Sequence, residues 1–255
     1  MGGGLNELGS VTAPPRCRCC YRGRNALECA MTAPSPGEGS STRRVWSFRR
    51  VVGQVRWVSD RLFDLLNGTN TAGVVEPAEM TVVGPHRDRG VRYQLTRPWA
   101  FRRLLRRLDL PAGEVFVDIG CGKGRVLMLA REFGFRKIVG VEYAPALCAI
   151  AQRNVAAADA ARVVIHCCDA VDYDFAEGET VIYLFNPFDG VVLERMLERL
   201  EASLRRDPRK AWLIYHFPRW MDVIESRDVF KRVSCHAYGG CEFAVYLHEP
   251  DRATS

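Results

Sequence analysis

A glycine-rich stretch between two apolar runs constrains the fold of this chain more than any other feature. It reads "VFVDIGCGKGRVLMLA", residues 115–130, and places Gly120, Gly122 and Gly124 at alternate positions. β-Branched and aromatic residues precede the glycines, as in a buried strand, and a leucine-rich run follows them. Glycine lets the backbone turn tightly and leaves no side chain to keep a ligand away. The pattern therefore predicts a strand, a ligand-binding loop and a helix, the opening unit of an α/β fold.

The chain after this loop alternates between strand-like and helix-like patterns. We predict strands at 115–119, 138–142, 163–167, 180–185, 211–216, about 229–235 and 242–247. Helices are predicted near 123–133, 145–157 and 190–205, and upstream at 45–68 and 96–110, where apolar residues recur every three or four positions. Strand, helix and strand at this spacing indicate a mostly parallel sheet.

Composition divides the chain into three parts. Residues 1–42 are rich in Gly, Pro, Ser and Arg without apolar periodicity, so we predict a disordered N-terminal arm. A helical lid segment (43–110) and the α/β domain (111–250) follow. Met31 opens a stretch typical of a flexible bacterial N-terminus, and we expect the native start there. No run of about 20 apolar residues could cross a bilayer and no secretory signal is visible, so we expect a cytoplasmic protein without a membrane partner.

The positive charge is concentrated in the front of the chain. Residues 1–110 hold 18 arginines and nine acidic residues, a balance of +9, whereas the whole chain carries +6. Such a basic half could meet an acidic partner such as nucleic acid. Arginine replaces lysine almost throughout, as a GC-rich genome would produce, and we favour a solvated basic face over a nucleic-acid partner.

The ten cysteines do not indicate a disulfide scaffold in a chain of this length. Cys17 and Cys20 have the spacing of a zinc knuckle, but its second half is missing, so we expect no metal. Six further cysteines are expected as free thiols in or beside core elements: Cys121, Cys148, Cys167, Cys168, Cys235 and Cys241.

The spacing of the glycines and one acid indicate which ligand the loop takes. Dinucleotide enzymes use G-x-G-x-x-G to place a pyrophosphate on a helix N-terminus. Here the pattern is D-x-G-x-G-x-G, so the third glycine comes one residue early and Asp118 stands at the turn. A carboxylate would repel pyrophosphate but suits a ligand with ammonium and hydroxyl groups, and S-adenosylmethionine (SAM) has both.

Two more acids follow the next two predicted strands. Glu142 can accept hydrogen bonds from both ribose hydroxyls of a dinucleotide or of SAM. Asp169 is placed to accept one from an adenine amino group. The alternative is that these acids only cap the helices that follow. Three acids at three successive strand ends favour a SAM site.

At these residues the chain resembles the class I SAM-dependent methyltransferases, over about residues 90–248. "FVDIGCGKGR" is similar to the family's glycine-loop motif, and "GVEY" and "CCDA" to its second and third motifs. The resemblance implies a Rossmann-like, seven-stranded, mostly parallel sheet with an antiparallel last strand, preceded by a helical N-terminal segment. It implies SAM as cofactor, with Glu142 on the ribose, Asp169 on the adenine and Asp118, Gly120 and Gly122 at the methionine end. The neighbouring residues implied in cofactor binding are Cys121, Tyr143 and Ala170.

A segment ahead of the glycine loop, "RYQLTRP", is similar to the Tyr-x-Pro-Thr segment of a bacterial subgroup of these enzymes. It predicts Tyr93 and Thr96 as part of a lid on the cofactor. The alternatives are that Tyr93 is an aromatic residue at a strand end and that Thr96 is the N-cap of the following helix.

The fourth predicted strand ends in "FNPF", which resembles a shortened Asn-Pro-Pro-Tyr/Phe motif of amino-group methyltransferases. The resemblance implies that Asn186 lies beside the cofactor and that its side-chain oxygen accepts a hydrogen bond from the target nitrogen. The alternative is a turn that caps the next helix. His216, at the end of the fifth strand, is the candidate base, or else a structural histidine bonded to a backbone carbonyl. Tyr215 should point to the opposite side of the sheet, and His166 is expected in the core.

The methyl acceptor has no diagnostic motif. The chain is distantly similar to the lysine methyltransferases that modify a histone core, so a nitrogen of a protein lysine or of a small molecule is the expected acceptor. Two alternatives stay open: a non-catalytic module that binds SAM or nucleic acid, and, less favoured, an NAD(P)-dependent dehydrogenase.

Overall fold

The computed structural model describes residues 58–73, 94–156 and 161–250. Its seven strands are β1 (Val115–Ile119), β2 (Lys137–Glu142), β3 (Val163–Cys167), β4 (Glu179–Leu184), β5 (Ala211–His216), β6 (Lys231–Tyr238) and β7 (Cys241–His248). The helices are α1 (58–67), α2 (Pro98–Leu108), α3 (Arg125–Ala130), α4 (Pro145–Ala156), α5 (Gly190–Arg206) and α6 (Met221–Glu225), with a 3₁₀ turn at Arg131–Phe133.

The seven strands form one sheet in the order β3-β2-β1-β4-β5-β7-β6. Neighbours pair in parallel except at β7, which is antiparallel to both β5 and β6. The predicted fold class is therefore confirmed. The strand order reverses between β1 and β4, so a crevice opens there beyond the carboxyl ends of the strands, where ligands of open α/β sheets bind.

Every predicted strand is present, with small shifts at the ends. The largest shift is at β6, which extends to Tyr238 because a two-residue turn lets it pair with β7 up to Cys241. Gly239 and Gly240 form that turn with φ values of 51° and 82°, as a tight hairpin requires. The short helix α6 was not predicted, since five residues carry too little periodicity to reveal a helix.

Both faces of the sheet are covered by helices, which explains the nearly continuous apolar runs of its central strands. One face packs against α5, through residues such as Leu193 and Leu197. The other face packs against α2 and α3, through residues such as Phe101 and Leu127. Burial on both sides fixes the strand ends, and with them the positions of the loops that carry the site.

The upstream segment 58–73 is attached to the glycine loop by polar side chains. The Arg125 guanidinium, 2% exposed, pairs with Asp60 and donates to Thr71 Oγ1 at 2.7 Å. Lys123 Nζ donates to the Ala72 carbonyl at 2.9 Å. Residues 58–67 confirm the described part of the helix predicted at 45–68, whose other residues lie outside the described ranges. The predicted N-terminal arm also lies outside them.

Two predictions about the core are wrong at strand β3. His166 and Cys167 are exposed rather than buried. β3 is an edge strand, so half of its side chains meet solvent instead of a neighbouring element. Among the other predicted core thiols, Cys168 and Cys235 are only half-buried, whereas Cys121, Cys148 and Cys241 are buried, and all six are free.

Neither a membrane-spanning helix nor a metal-binding cluster is found among the described residues. No helix there is long and apolar enough to span a bilayer. No group of three or more His, Cys, Asp or Glu side chains in those ranges could hold a metal ion. Cys17 and Cys20 lie outside them.

Candidate cofactor site

A cavity that is open to solvent lies at the carboxyl ends of β1 to β4. Among the predicted cofactor residues, those that line it are Thr96, Asp118, Gly120, Cys121, Gly122, Glu142, Tyr143, Asp169 and Ala170. The structure thus brings together residues from four separate segments of the sequence. Tyr93 lies outside the described residues, and its predicted role stays a prediction.

The glycine loop needs its glycines for two reasons. Gly120, Gly122 and Gly124 have φ values of 77°, 54° and 82°, a left-handed conformation that other residues rarely adopt. A Cβ on Gly120 would also lie 2.5 Å from Pro187 Cβ. The loop is tied to β2, since the Gly120 and Cys121 amides both donate to the Val141 carbonyl. A bare backbone therefore faces the cavity.

Glu142 is held by the backbone around it. Its Oε2 accepts from the Gly122 amide at 2.8 Å and its Oε1 from the Ala144 amide at 3.0 Å. Burial raises the pKa of this carboxyl, while the amide hydrogen bonds act in the opposite direction. Each carboxylate oxygen has a second lone pair, so both can still accept from ligand hydroxyls. This donor set fits a ribose.

Asp118 is the least compensated charge in the site. Its side chain is 2% exposed, and none of the hydrogen bonds or ion pairs of the described residues reaches its carboxylate. Burial, and then the negative charge of Glu142, raise its pKa well above the usual range. An unpaired buried carboxylate on a cavity wall fits a cationic group, such as the ammonium or sulfonium of SAM.

The third strand supplies the other end of the cavity. Asp169 and Ala170 follow β3, and the Asp169 carboxylate accepts from the Val171 amide at 3.2 Å. Tyr143, which also lines the cavity, has a buried hydroxyl without a hydrogen-bond partner among the described residues. An adenine brings donors and acceptors that such groups can use, so this end fits the base of SAM.

Thr96, at the far end of the cavity, does not cap helix α2 as its alternative role would require. The N-cap of α2 is Arg97, without a side-chain cap, so the alternative role of Thr96 as N-cap is wrong. Thr96 Oγ1 lies instead 3.1 Å from the Tyr183 hydroxyl, which in turn lies 2.8 Å from His216 Nδ1. Thr96 and Tyr183 both line the cavity.

His216 lies behind this wall and is not among the residues that line the cavity. It is 1% exposed and stacked between Phe185 and Phe243, with ring centroids 4.0 and 4.3 Å away. Burial lowers the pKa of His216 to about 3, so the ring is neutral at physiological pH. Its Nε2 is buried without a partner. It contacts the cavity wall only through Tyr183 and the Phe185 ring.

Asn186 adopts a left-handed φ of 40° at the end of β4, and its two neighbours, Phe185 and Pro187, line the cavity. Its Oδ1 accepts from the Tyr215 hydroxyl at 2.9 Å. Tyr215 packs on the sheet face opposite His216, as expected from strand alternation. The alternative role of Asn186 as a helix cap is wrong. Asp189 caps α5, by accepting from the Val191 and Val192 amides at 3.1 Å.

Several residues that line the cavity were not predicted from the sequence, among them Tyr183, Phe185 and Arg125. Tyr183 and Phe185 belong to an apolar run that looked like core, and Arg125 is the last residue of the glycine-loop motif but was given no role in the site. The Asp189 cap had a visible signal, since an aspartate directly precedes the apolar periodicity of α5.

Residues 116–207 match the family model of a methyltransferase domain. The match begins in β1 and covers the glycine loop, both following acids and Asn186. This segment of the chain is therefore a methyltransferase domain. The strand order, the glycine loop and the unpaired Asp118 agree with that assignment. SAM is therefore the cofactor, and the protein is a SAM-dependent methyltransferase.

Several solved structures of low sequence identity are similar to part of this chain. An RNA methyltransferase from Salinibacter ruber in complex with S-adenosyl-L-homocysteine is 21% identical, with a TM-score of 0.49 over 64% of this chain and 98% of that one. A ribosomal protein L11 methylase from Lactobacillus delbrueckii subsp. bulgaricus is 12% identical, with a TM-score of 0.48 over 60% and 79%. A SAM-dependent methyltransferase from Aquifex aeolicus is 15% identical, with a TM-score of 0.46 over 60% and 98%. No curated protein matches the sequence.

Proposed function

We propose that this methyltransferase transfers the methyl group of SAM to an uncharged nitrogen of its acceptor. In this proposal the acceptor lies against Thr96, Tyr183 and Phe185, at the cavity end beyond β4. The cofactor is held by Glu142 at the ribose, Asp169 and Ala170 at the adenine, and the segment from Asp118 to Gly122 at the methionine moiety. The sulfonium of bound SAM supplies an activated methyl group and a good leaving group.

The observation that supports the proposal is that the two hydroxyls of the described residues on that wall, Thr96 and Tyr183, already have hydrogen-bond partners within the protein. Among the described residues there, the Thr96 and Tyr183 hydroxyls are hydrogen-bonded to one another. Burial raises the pKa of Tyr183 well above its usual value, so its hydroxyl stays protonated. His216 is neutral, but its Nδ1 already bonds the Tyr183 hydroxyl and its Nε2 is buried. A hydroxyl acceptor would need a base to remove its proton, whereas an uncharged nitrogen attacks with its own lone pair.

The wall also selects the protonation state of an amine. A lysine ammonium has no lone pair, and an uncharged apolar wall lowers the pKa of an amine that binds against it. Desolvation thus favours the reactive form without a dedicated base. After transfer, the methylated ammonium loses its proton to solvent. This supports the amine of a protein lysine or of a small molecule as acceptor.

Asn186 and His216 then act as positioning residues. The left-handed Asn186, fixed by Tyr215, places Phe185 and Pro187 against the cavity. His216 holds the Tyr183 hydroxyl in place from behind the wall. Methyl transfer depends on holding nucleophile, methyl carbon and sulfur in line, so small displacements of this wall cost rate.

Transfer of tritium from methyl-labelled SAM to a fractionated cell extract tests the acceptor atom. We expect label that survives mild alkali and that appears, after hydrolysis of the labelled fraction, on nitrogen. Label released by alkali as methanol would identify a carboxyl ester and overturn the proposal, as would label on a hydroxyl oxygen or on sulfur.

The pH dependence of turnover tests His216 separately. If neutral His216 is only a positioning residue, the pH-rate profiles of the wild type and of His216→Asn should have the same shape near pH 6.5. An acid limb in the wild-type profile that the variant loses would make His216 the base instead.

A further inference from the structure

Two free thiols touch each other at the adenosine end of the cavity. Cys148 lies in the first turn of α4, and Cys167 is the last residue of β3. Their sulfur atoms are 2.8 Å apart. Cys148 is buried, whereas Cys167 is exposed to solvent. No other contact between two thiols is found in the part of the chain that the structure describes.

The pair is attached directly to the cofactor residues. Cys148 Sγ donates to the Glu142 carbonyl at 3.2 Å, and the Cys168 amide donates to the same carbonyl at 3.0 Å. Glu142 and Cys167 are register partners in β2 and β3. The chain continues from Cys167 through Cys168 to Asp169, both of which line the cavity. The two thiols therefore lie where α4 and β3 meet behind the adenosine site.

We propose that Cys148 and Cys167 are an oxidative modification site, which a hydroperoxide converts into a disulfide between α4 and β3. This proposal goes beyond the methyl-transfer reaction and does not depend on the identity of the acceptor.

The chemistry balances with one peroxide. The exposed Cys167 thiol gives up its proton and its sulfur attacks a peroxide oxygen. The O–O bond breaks, Cys167 becomes a sulfenic acid, and the leaving hydroxide takes up that proton to give one water. Cys148 sulfur then attacks the sulfenic sulfur, the S–S bond forms, the S–O bond breaks, and a second water leaves. Two thiols are oxidised, and hydrogen peroxide is reduced to two waters.

Exposure and burial set the order of these steps. Burial, and then the contact with Cys167, raise the pKa of the Cys148 thiol, which disfavours its thiolate. Cys167 meets solvent and a dissolved oxidant first. The sulfur atoms then need to approach by less than about 1 Å to reach the disulfide bond length of about 2.05 Å. The two elements can be joined with little movement of Glu142 or Asp169.

The disulfide would close a loop of 18 residues, 149–166, that includes most of α4. Cross-linking such a loop restricts the unfolded chain and stabilises the folded one. For a chain of this size we expect the Tm to rise by roughly 6–10 °C on oxidation. The dissociation constant of SAM should change by less than about twofold, because the cavity residues keep their places.

Peptide mapping of the full chain tests the pair directly. The protein is treated with hydrogen peroxide, alkylated and cleaved with trypsin without reduction. Cleavage after Lys137, Arg153, Arg162 and Arg195 gives the peptides 138–153 and 163–195. We expect these two peptides to be joined with a mass two hydrogens below their sum, and to separate on treatment with dithiothreitol.

Three variants identify the partners, because Cys167 and Cys168 share one peptide. The exposed Cys167→Ser should fold normally and lose both the cross-link and the rise in Tm. Cys168→Ser should keep the cross-link. Cys235→Ser, in the remote strand β6, serves as the matched control and should keep both. Cys148→Ser replaces a buried thiol, so the test rests on Cys167→Ser.

The proposal fails if the wild-type peptides stay separate in excess peroxide, or if the cross-link persists in Cys167→Ser. It also fails if the cross-link forms but the Tm of the oxidised protein does not rise. None of these results bears on the nitrogen acceptor, so the two proposals can fail independently.

Discussion

The polar groups at the two ends of the cavity differ in whether they have partners within the protein. At the cofactor end, the buried Asp118 carboxylate has no partner among the described residues, and Glu142 keeps free lone pairs. At the acceptor end, the Thr96 and Tyr183 hydroxyls and the Asn186 oxygen are hydrogen-bonded within the protein. The polar groups at the cofactor end gain their missing partners from the ligand, whereas those at the acceptor end already have partners within the protein.

The difference follows from what each ligand brings. SAM carries fixed positive charge, so an uncompensated carboxylate becomes favourable only when SAM binds. The proposed uncharged acceptor would offer no such compensation, and a free charge at its end of the cavity would disfavour its binding. Substitutions at the cofactor end should therefore change affinity for SAM, whereas those at the acceptor end should change turnover.

The largest expected effect is at the glycine loop. Gly120→Ala places a Cβ 2.5 Å from Pro187 Cβ, and it strains a φ of 77° as well. We expect titration calorimetry to show a loss of SAM affinity of about 100-fold or more. Gly113→Ala is the matched control, because its φ is 83° but nothing lies within 4 Å of the added carbon. If both variants lose affinity equally, the cause is backbone strain and not the contact with Pro187.

At the acceptor end, Asn186→Ala should lower kcat by about 100-fold while SAM affinity stays nearly constant, because the wall loses its orientation. Asn186→Asp keeps the oxygen bonded to Tyr215 and should recover most of the rate. Asn186→Gly keeps the left-handed backbone and removes the side chain, so it separates the turn from the hydrogen bond. Label transfer and SAM titration are measured on the same samples. A loss of SAM affinity in Asn186→Ala as large as its loss of kcat would contradict the division between the two ends.

Asp118→Asn should weaken SAM binding by about 10- to 30-fold, through loss of a charge-assisted interaction. The same variant should raise the Tm of the free protein at pH 7. The folded-state pKa of Asp118 is raised, so its contribution to stability is fully present below the unfolded value near 4 and is lost as pH rises through the raised pKa.

The Tm of the wild type and of Asp118→Asn, measured over a range of pH, tests whether the substitution stabilises the free protein. The Tm difference between variant and wild type should be large at pH 7 and should close as the pH falls toward about 4. Asp174→Asn, at an exposed surface carboxylate, should show neither effect. A variant that melts below wild type at pH 7 would show that Asp118 is compensated in the free protein.

The smallest effect is expected from deletion of residues 1–42. The segment has little apolar surface to pack, so SAM affinity should change by less than about twofold and the Tm by less than about 2 °C. Loss of stoichiometric zinc, or a much lower Tm, would show that the predicted arm is structural.

Local patterns determined the fold and the cofactor end. Alternation of apolar runs predicted all seven strands, and the glycine spacing with Asp118, Glu142 and Asp169 predicted which strand ends line the cavity. These features could be read because each depends on residues close in sequence: a strand, the turn that ends it, and the acid beside that turn. In a parallel sheet the carboxyl ends of the strands then meet at one edge by topology alone.

Tertiary structure decided the features that depend on residues far apart in sequence. Thr96, Tyr183 and His216 form their chain of hydrogen bonds across three separate segments, and no local pattern marks it. The sequence could not show that β3 is an edge strand, which exposes His166 and places Cys167 against Cys148. The Asn186 side chain turns toward Tyr215 because β5 packs beside β4. Side-chain partners and burial are properties of packing. The sequence gives the identity of each titratable group, but packing fixes its charge and protonation state.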